Sequence, residues 1–168
     1  MIKIGKNISS FSTYSCRPKT KTELKQIIEE RILKEGNNCD LNDIDTSLII
    51  DMSSLFYKSS FNGNISKWNV SKVTNMGFMF AESKFNQDIS DWNVSNVVVM
   101  TGTFSYSIFN QPISNWDVSN VKSMIHMFRE SKFNQDISNW KINKKCTIIH
   151  MFVSCDINKK FKPKSLQS

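Results

Sequence analysis

This chain of 168 residues holds only two histidines, His126 and His150, and they stand in the same column of a repeating sequence. Cys146 lies four residues before His150, a spacing that puts both on one side of a helical segment. Two imidazoles and a thiolate are ligands that zinc accepts, but a closed site takes a fourth, and none is evident. The same column carries Phe78 and Gly102 further upstream. The expectation for His126, Cys146 and His150 is therefore a semi-exposed histidine pair, with no metal and no other cofactor. Asp88 and Asp136 also share a column, with Pro112 between them and Asn64 before them. They read as solvated turn residues and not as an acid and base pair. The five glycines are spread apart, so no phosphate-binding loop is formed. No enzymatic activity is expected.

The elements that must position any site are repeats. "KFNQDISDWNVSNVVVM" recurs 24 residues later as "IFNQPISNWDVSNVKSM". Trp68, Trp92, Trp116 and Trp140 fall in register, as do Phe61, Phe85, Phe109 and Phe133. Phe56, Phe80, Phe104, Phe128 and Phe152 make a further column, and Asn62, Asn86, Asn110, Asn134 and Asn158 a polar one. Within a unit, Ile65, Trp68, Val70 and Val73 have the spacing of a leucine-rich-repeat strand. Val73, Met76, Met79 and Phe80 then follow a helical stripe. Each unit thus predicts a short strand, a turn, a short helical segment and a return loop. Stacked, about five such units give a right-handed α/β solenoid with a parallel β-sheet. The Ser and Asn columns are expected to bond backbone at turns.

Three regions follow: an N-terminal segment over 1–40, a repeat solenoid over 41–157 and a basic, frayed tail over 158–168. In the first, Thr20 with Glu23 has capping-box spacing and Gly36 supplies a stop, predicting a helix over about 20–35. Leu24, Ile27, Ile28, Ile32 and Leu33 form its apolar face, which is expected to cap the first repeat. The net charge of +7 is confined to the ends, with +3 in 1–40, −1 in 41–142 and +5 in 143–168. A near-neutral repeat body disfavours nucleic acid as a partner except through the tail lysines Lys159, Lys160, Lys162 and Lys164. No run of 18 apolar residues occurs, so no membrane-spanning helix is expected. Lys3 and Lys6 precede no continuous apolar stretch, so a secretory signal is not expected and a cytoplasmic location is. Four cysteines without CxxC spacing are then expected to be free thiols.

The unit "FNxxISxWxVSxVxxMxxMF", with the leader "RPKTKTELKQIIEERI", resembles the BspA-like, DUF285 class of leucine-rich-repeat surface proteins. The resemblance covers roughly residues 17–157. It implies a solenoid, adhesion or protein binding at the cell surface for many members, and no catalysis. On this reading the chain is a non-enzymatic protein-binding module. Its partner-binding residues are expected among the apolar side chains in variable columns: Phe78, Val99, Tyr106, Ile108 and Ile125. The alternative is a small inhibitor, carried by a mobile element or phage, that blocks a host nucleic-acid enzyme. Self-association through the irregular last repeat is also open.

Overall fold

The computed structural model describes residues 14–167; the stretch holding Lys3 and Lys6 lies outside them. The 24-residue period becomes a physical stack. Trp68 and Trp92 lie 6.5 Å apart with their planes within 3°. Phe85 meets Phe109 at 6.3 Å, and Phe109 meets Phe133 at the same distance with parallel rings. A second column, Phe56 to Phe80 to Phe104, steps by 5.5 and 5.6 Å. Inside one coil Phe104 closes on Phe109 at 4.2 Å, tying the columns together. These rings are almost wholly buried. A single coil has no second layer to cover its Trp and Phe, so burial comes from the neighbours.

The expected parallel sheet is absent. Among the described residues no strand forms, and parallel pairing is confined to single bridges such as Asp51 to Asn75, Asn75 to Val99 and Val99 to Ser123. The segments expected to be strands are pairs of β-turns. In one coil Trp92 N–H donates to Ile89 (3.2 Å) and Val97 N–H to Val94 (2.9 Å). Short polar side chains set these turns: Asp88 accepts from Ser90 N–H and Asn93 from Ser95 N–H. Such a bond two residues ahead competes with sheet formation. The helical segments expected inside the repeats are absent too. One α-helix and two short 3₁₀ segments are the only helices described, and all three lie outside the five repeated segments that follow.

What replaces them is a ladder of alternating bonds over 52–58, 76–82, 100–106, 124–130 and 148–154, here numbered coils 1 to 5. In coil 2 the N–H groups of Met76, Phe78, Phe80 and Glu82 donate to Val99, just ahead of coil 3, and to Thr101, Thr103 and Ser105 within it. The intervening N–H groups of Met79, Ala81 and Ser83 donate back three residues. Phe78 and Glu82 have φ of 55° at the third position of these turns, the type II signature. Left-handed residues recur at the same places in every coil, from Ser54 and Lys58 to His150 and Ser154. That alternation breaks any continuous strand and explains why bridges stay isolated.

Helix α1, Lys21–Glu35, begins as the sequence indicates: Thr20 Oγ1 accepts from Glu23 N–H and Glu23 Oε2 from Lys19 N–H. It ends at Gly36, whose φ of 87° suits only glycine readily. Leu24 and Ile28 are buried, and Ile27 and Ile32 pack at the margin. Leu33 does not join them. It is 90% exposed, because it points away from coil 1 on the far side of the helix.

The C-terminal segment is folded, not frayed. Short 3₁₀ segments span Lys159–Phe161 and Lys164–Leu166. Phe161 C=O accepts from Ile137 N–H at 3.0 Å, and Pro163 is buried. The segment thus closes over the Trp side of the last coils.

Candidate functional site

The left-handed positions bring side chains outward from the ladder. At two of them, Phe78 and Tyr106, the rings are 43% and 46% exposed. They line a shallow groove of about 330 Å³ together with Ser54, Tyr57, Ala81, Glu82 and Ser105. The groove exists because of what occupies adjoining columns. Tyr57 has Ala81 and Ser105 as its successors in the next coils, so large side chains give way to a floor of small ones. Gly102 has the same role beneath Phe78. A Cβ there would meet the Phe78 ring carbons at 2.5 and 2.6 Å, and φ is +60°. Only glycine both takes that backbone and leaves room for the ring.

The rim is polar and charge-balanced. Tyr57 Oη donates to Glu82 Oε1 at 2.9 Å, and Lys58 Nζ lies 3.5 Å from the other Glu82 oxygen. Arg129 sits over the Tyr106 ring at 5.8 Å, a cation and aromatic contact. The result is a groove between two aromatic rings with the Glu82 carboxylate in its lining and the Arg129 guanidinium over the Tyr106 ring.

Of the expected binding residues, Phe78 and Tyr106 are brought together here. Ile108 is 47% exposed but stands outside the groove. Val99 and Ile125 are only half-buried scaffold residues: Val99 bridges Asn75 and Ser123, and Ile125 C=O accepts from Gly102 N–H. Tyr57 and Glu82 were not anticipated. The signal for them lay in their columns, where Tyr57 is the one aromatic and is followed by Ala81 and Ser105, and Glu82 stands where the next coil has Tyr106.

His126 and His150 stack with centroids 5.3 Å apart, and Nε2 of the first lies 3.2 Å from Nδ1 of the second. Cys146 does not complete a ligand set. Its Sγ turns to the Thr147 carbonyl, and no group of three or more His, Cys, Asp or Glu that could hold a metal occurs among the described residues. Burial pushes the Cys146 and Cys155 thiols up, away from thiolate formation. All four cysteines are free. Of the tail lysines, Lys160 lies over the Phe161 ring at 5.0 Å and Lys162 over Phe152 at 5.3 Å. Lys159 and Lys164 open the two 3₁₀ segments. No helix among the described residues is long and apolar enough to cross a membrane.

The geometry defines a class first: a helix-capped stack of repeated coils held by aromatic columns and an alternating hydrogen-bond ladder. Two stretches, residues 22–108 and 104–164, match the family model described as Mycoplasma protein of unknown function, DUF285. The chain belongs to this family. No curated protein and no solved structure matches it.

Proposed function

We propose that this chain is a non-enzymatic protein-binding module whose recognition surface is the groove between Phe78 and Tyr106. The observation that carries this reading is the exposure of two aromatic rings on backbone positions the stack itself holds rigid. Aromatic anchors flanked by satisfied polar groups are the pattern of interface hot spots. The groove takes an apolar or aromatic side chain of the partner, with Glu82 and Arg129 fixing its register through polar contacts.

The test compares capture from host lysate by the wild-type chain and by the Phe78→Ala/Tyr106→Ala variant. A protein held by the first and lost by the second, with Kd weakened about tenfold or more when the purified pair is measured, supports the reading. Equal affinity for both variants overturns it. Salt separates this from an inhibitor acting through Lys159–Lys164, since a lysine-driven contact to phosphate weakens steeply with ionic strength and an apolar contact does not.

A further inference from the structure

The ladder has a direction, and it leaves one edge open. In coils 1 to 4 every second N–H, from Met52 to Glu130, donates to a carbonyl in or just ahead of the following coil. The corresponding groups of coil 5 are the N–H donors of Ile148, His150, Phe152 and Ser154. None of the four has a partner among the described residues. The folded C-terminal segment does not cover them; its bonds go to Ile137 and Ser138 instead. These residues are exposed or half-buried, so the row faces solvent. Two apolar side chains interleave with it, Ile149 at 55% and Val153 at 41% exposed.

We infer that this edge is a docking site for an extended acidic peptide segment of a partner, paired to coil 5 through the partner's backbone carbonyls. Four donors on alternate residues match a backbone whose carbonyls recur every second residue, as each coil of this chain offers to the coil before it, and main-chain pairing at an open edge is a known mode of peptide capture. The ladder carbonyls of the row are already taken, and the one acceptor open beside it among the described residues is the Cys146 carbonyl, the counterpart of Lys122 C=O, which accepts from Thr147 N–H. The carbonyls of Thr147, Ile149, Met151 and Val153 already accept from coil 4 at 2.8 to 3.0 Å. A second copy presenting the same edge would set donor against donor. The complementary acceptor row of this chain, the carbonyls of 51, 53, 55 and 57, lies at the other end, where α1 packs against coil 1 and Lys21 Nζ reaches Asp51 and Ser53. Head-to-tail self-addition is therefore opposed. Charge selects the occupant further: residues 143–168 carry +5, and the Lys162 ammonium sits over Phe152 on the row itself. The inference is independent of the Phe78 and Tyr106 groove.

The experiment uses the full chain, labelled for amide hydrogen exchange, with a probe peptide of about ten residues alternating Glu and Val, the reach of an ordinary strand. The control peptide alternates Lys and Val. The Glu/Val peptide is expected to slow exchange at Ile148, His150, Phe152 and Ser154 by about tenfold, and to lose affinity as salt rises. The Ile148→Pro variant removes one donor where the bridged Thr147 already suits a following proline, and is expected to weaken binding about fivefold. Unchanged exchange at those four amides with about 1 mM peptide, a concentration that detects even weak binding, overturns the inference. So does equal slowing by the Lys/Val peptide. Slowing that grows with protein concentration in the absence of peptide would replace the acidic partner by a second copy and overturn it as well.

Discussion

At the scale of single residues, the stack depends on polar side chains that reach across a whole repeat. Asn110 Oδ1 accepts from Asn134 N–H at 2.8 Å and from Gln135 Nε2 at 3.1 Å, and the same backbone bond links Asn62 to Asn86, Asn86 to Asn110 and Asn134 to Asn158. Asn110→Ala removes the acceptor of the Asn134 amide, which is exposed and can turn to water, and should cost about 0.5–1.5 kcal/mol. Asn110→Asp keeps an acceptor and should cost less; thermal melts of the two variants, with the Ala form melting lower, decide the point. Read from sequence, these asparagines are local turn formers, which is how Asp88, Asn93 and Asp117 behave toward Ser90, Ser95 and Ser119. The long-range bond was hidden because one column of identical residues gives no sign of which neighbour each one serves. The groove was half legible on the same ground. Phe78 and Tyr106 stand out as large side chains in variable columns, whereas Glu82 and Tyr57 join the groove through the contact between them.

At the scale of elements, the link between the segment holding α1 and the chain that leads into coil 1 is electrostatic as well as apolar. Arg31 pairs with Asp43 at 3.0 Å, Arg17 with Asp45 at 3.0 Å and Lys21 with Asp51 at 3.1 Å. Burial alone would raise all three carboxyls. Hydrogen bonds from Ser15, Ser47 and Ser53, aided by the basic partners, outweigh it and hold each below its ordinary value. A carboxylate with a depressed folded-state pKa contributes stability that is fully present above its unfolded value, near 4, and is lost as pH falls through the folded one. The melting temperature should therefore drop as pH is lowered from about 5 toward 2, and the Asp43→Asn/Asp51→Asn variant should melt lower at neutral pH but show a shallower acid slope. An unchanged slope would remove these pairs from the account. The helix was legible in outline because Thr20, Glu23 and Gly36 act locally. Leu33 misled because its apolarity says nothing about which face coil 1 will cover. The expected strands failed for a related reason: the apolar spacing of Ile, Trp and Val fits a strand, but Asx turns and left-handed positions decide the backbone path.

At the scale of the whole molecule, the scaffold and the two proposed binding surfaces are separable. Backbone and ring contacts in the stack run either within one repeat or to the counterparts one repeat away, so each coil is stabilised by its two neighbours and not by a shared centre. Removing one full period should then rejoin equivalent surfaces. Deleting residues 109–132 joins Ile108 to Phe133 and sets Phe85 and Phe133 in the place of Phe85 and Phe109, with Trp140 replacing Trp116 over the Ile89 carbonyl. Tyr57, Phe78, Glu82 and Tyr106 are untouched, as are the four open donors of coil 5, although Arg129 is removed and Val153 takes its place beside Tyr106. The shortened chain should fold with the same circular dichroism shape and a lower melting temperature, while keeping both the groove and the open edge. Trp116→Ala is the instructive contrast. It removes far less chain, yet it leaves a cavity within the aromatic column and an unpaired Ile89 carbonyl, a loss of about 3–5 kcal/mol. If the deletion proves more damaging than that single substitution, the coils cooperate over a longer range than their contacts imply, and the binding surfaces cannot be treated apart from the number of repeats.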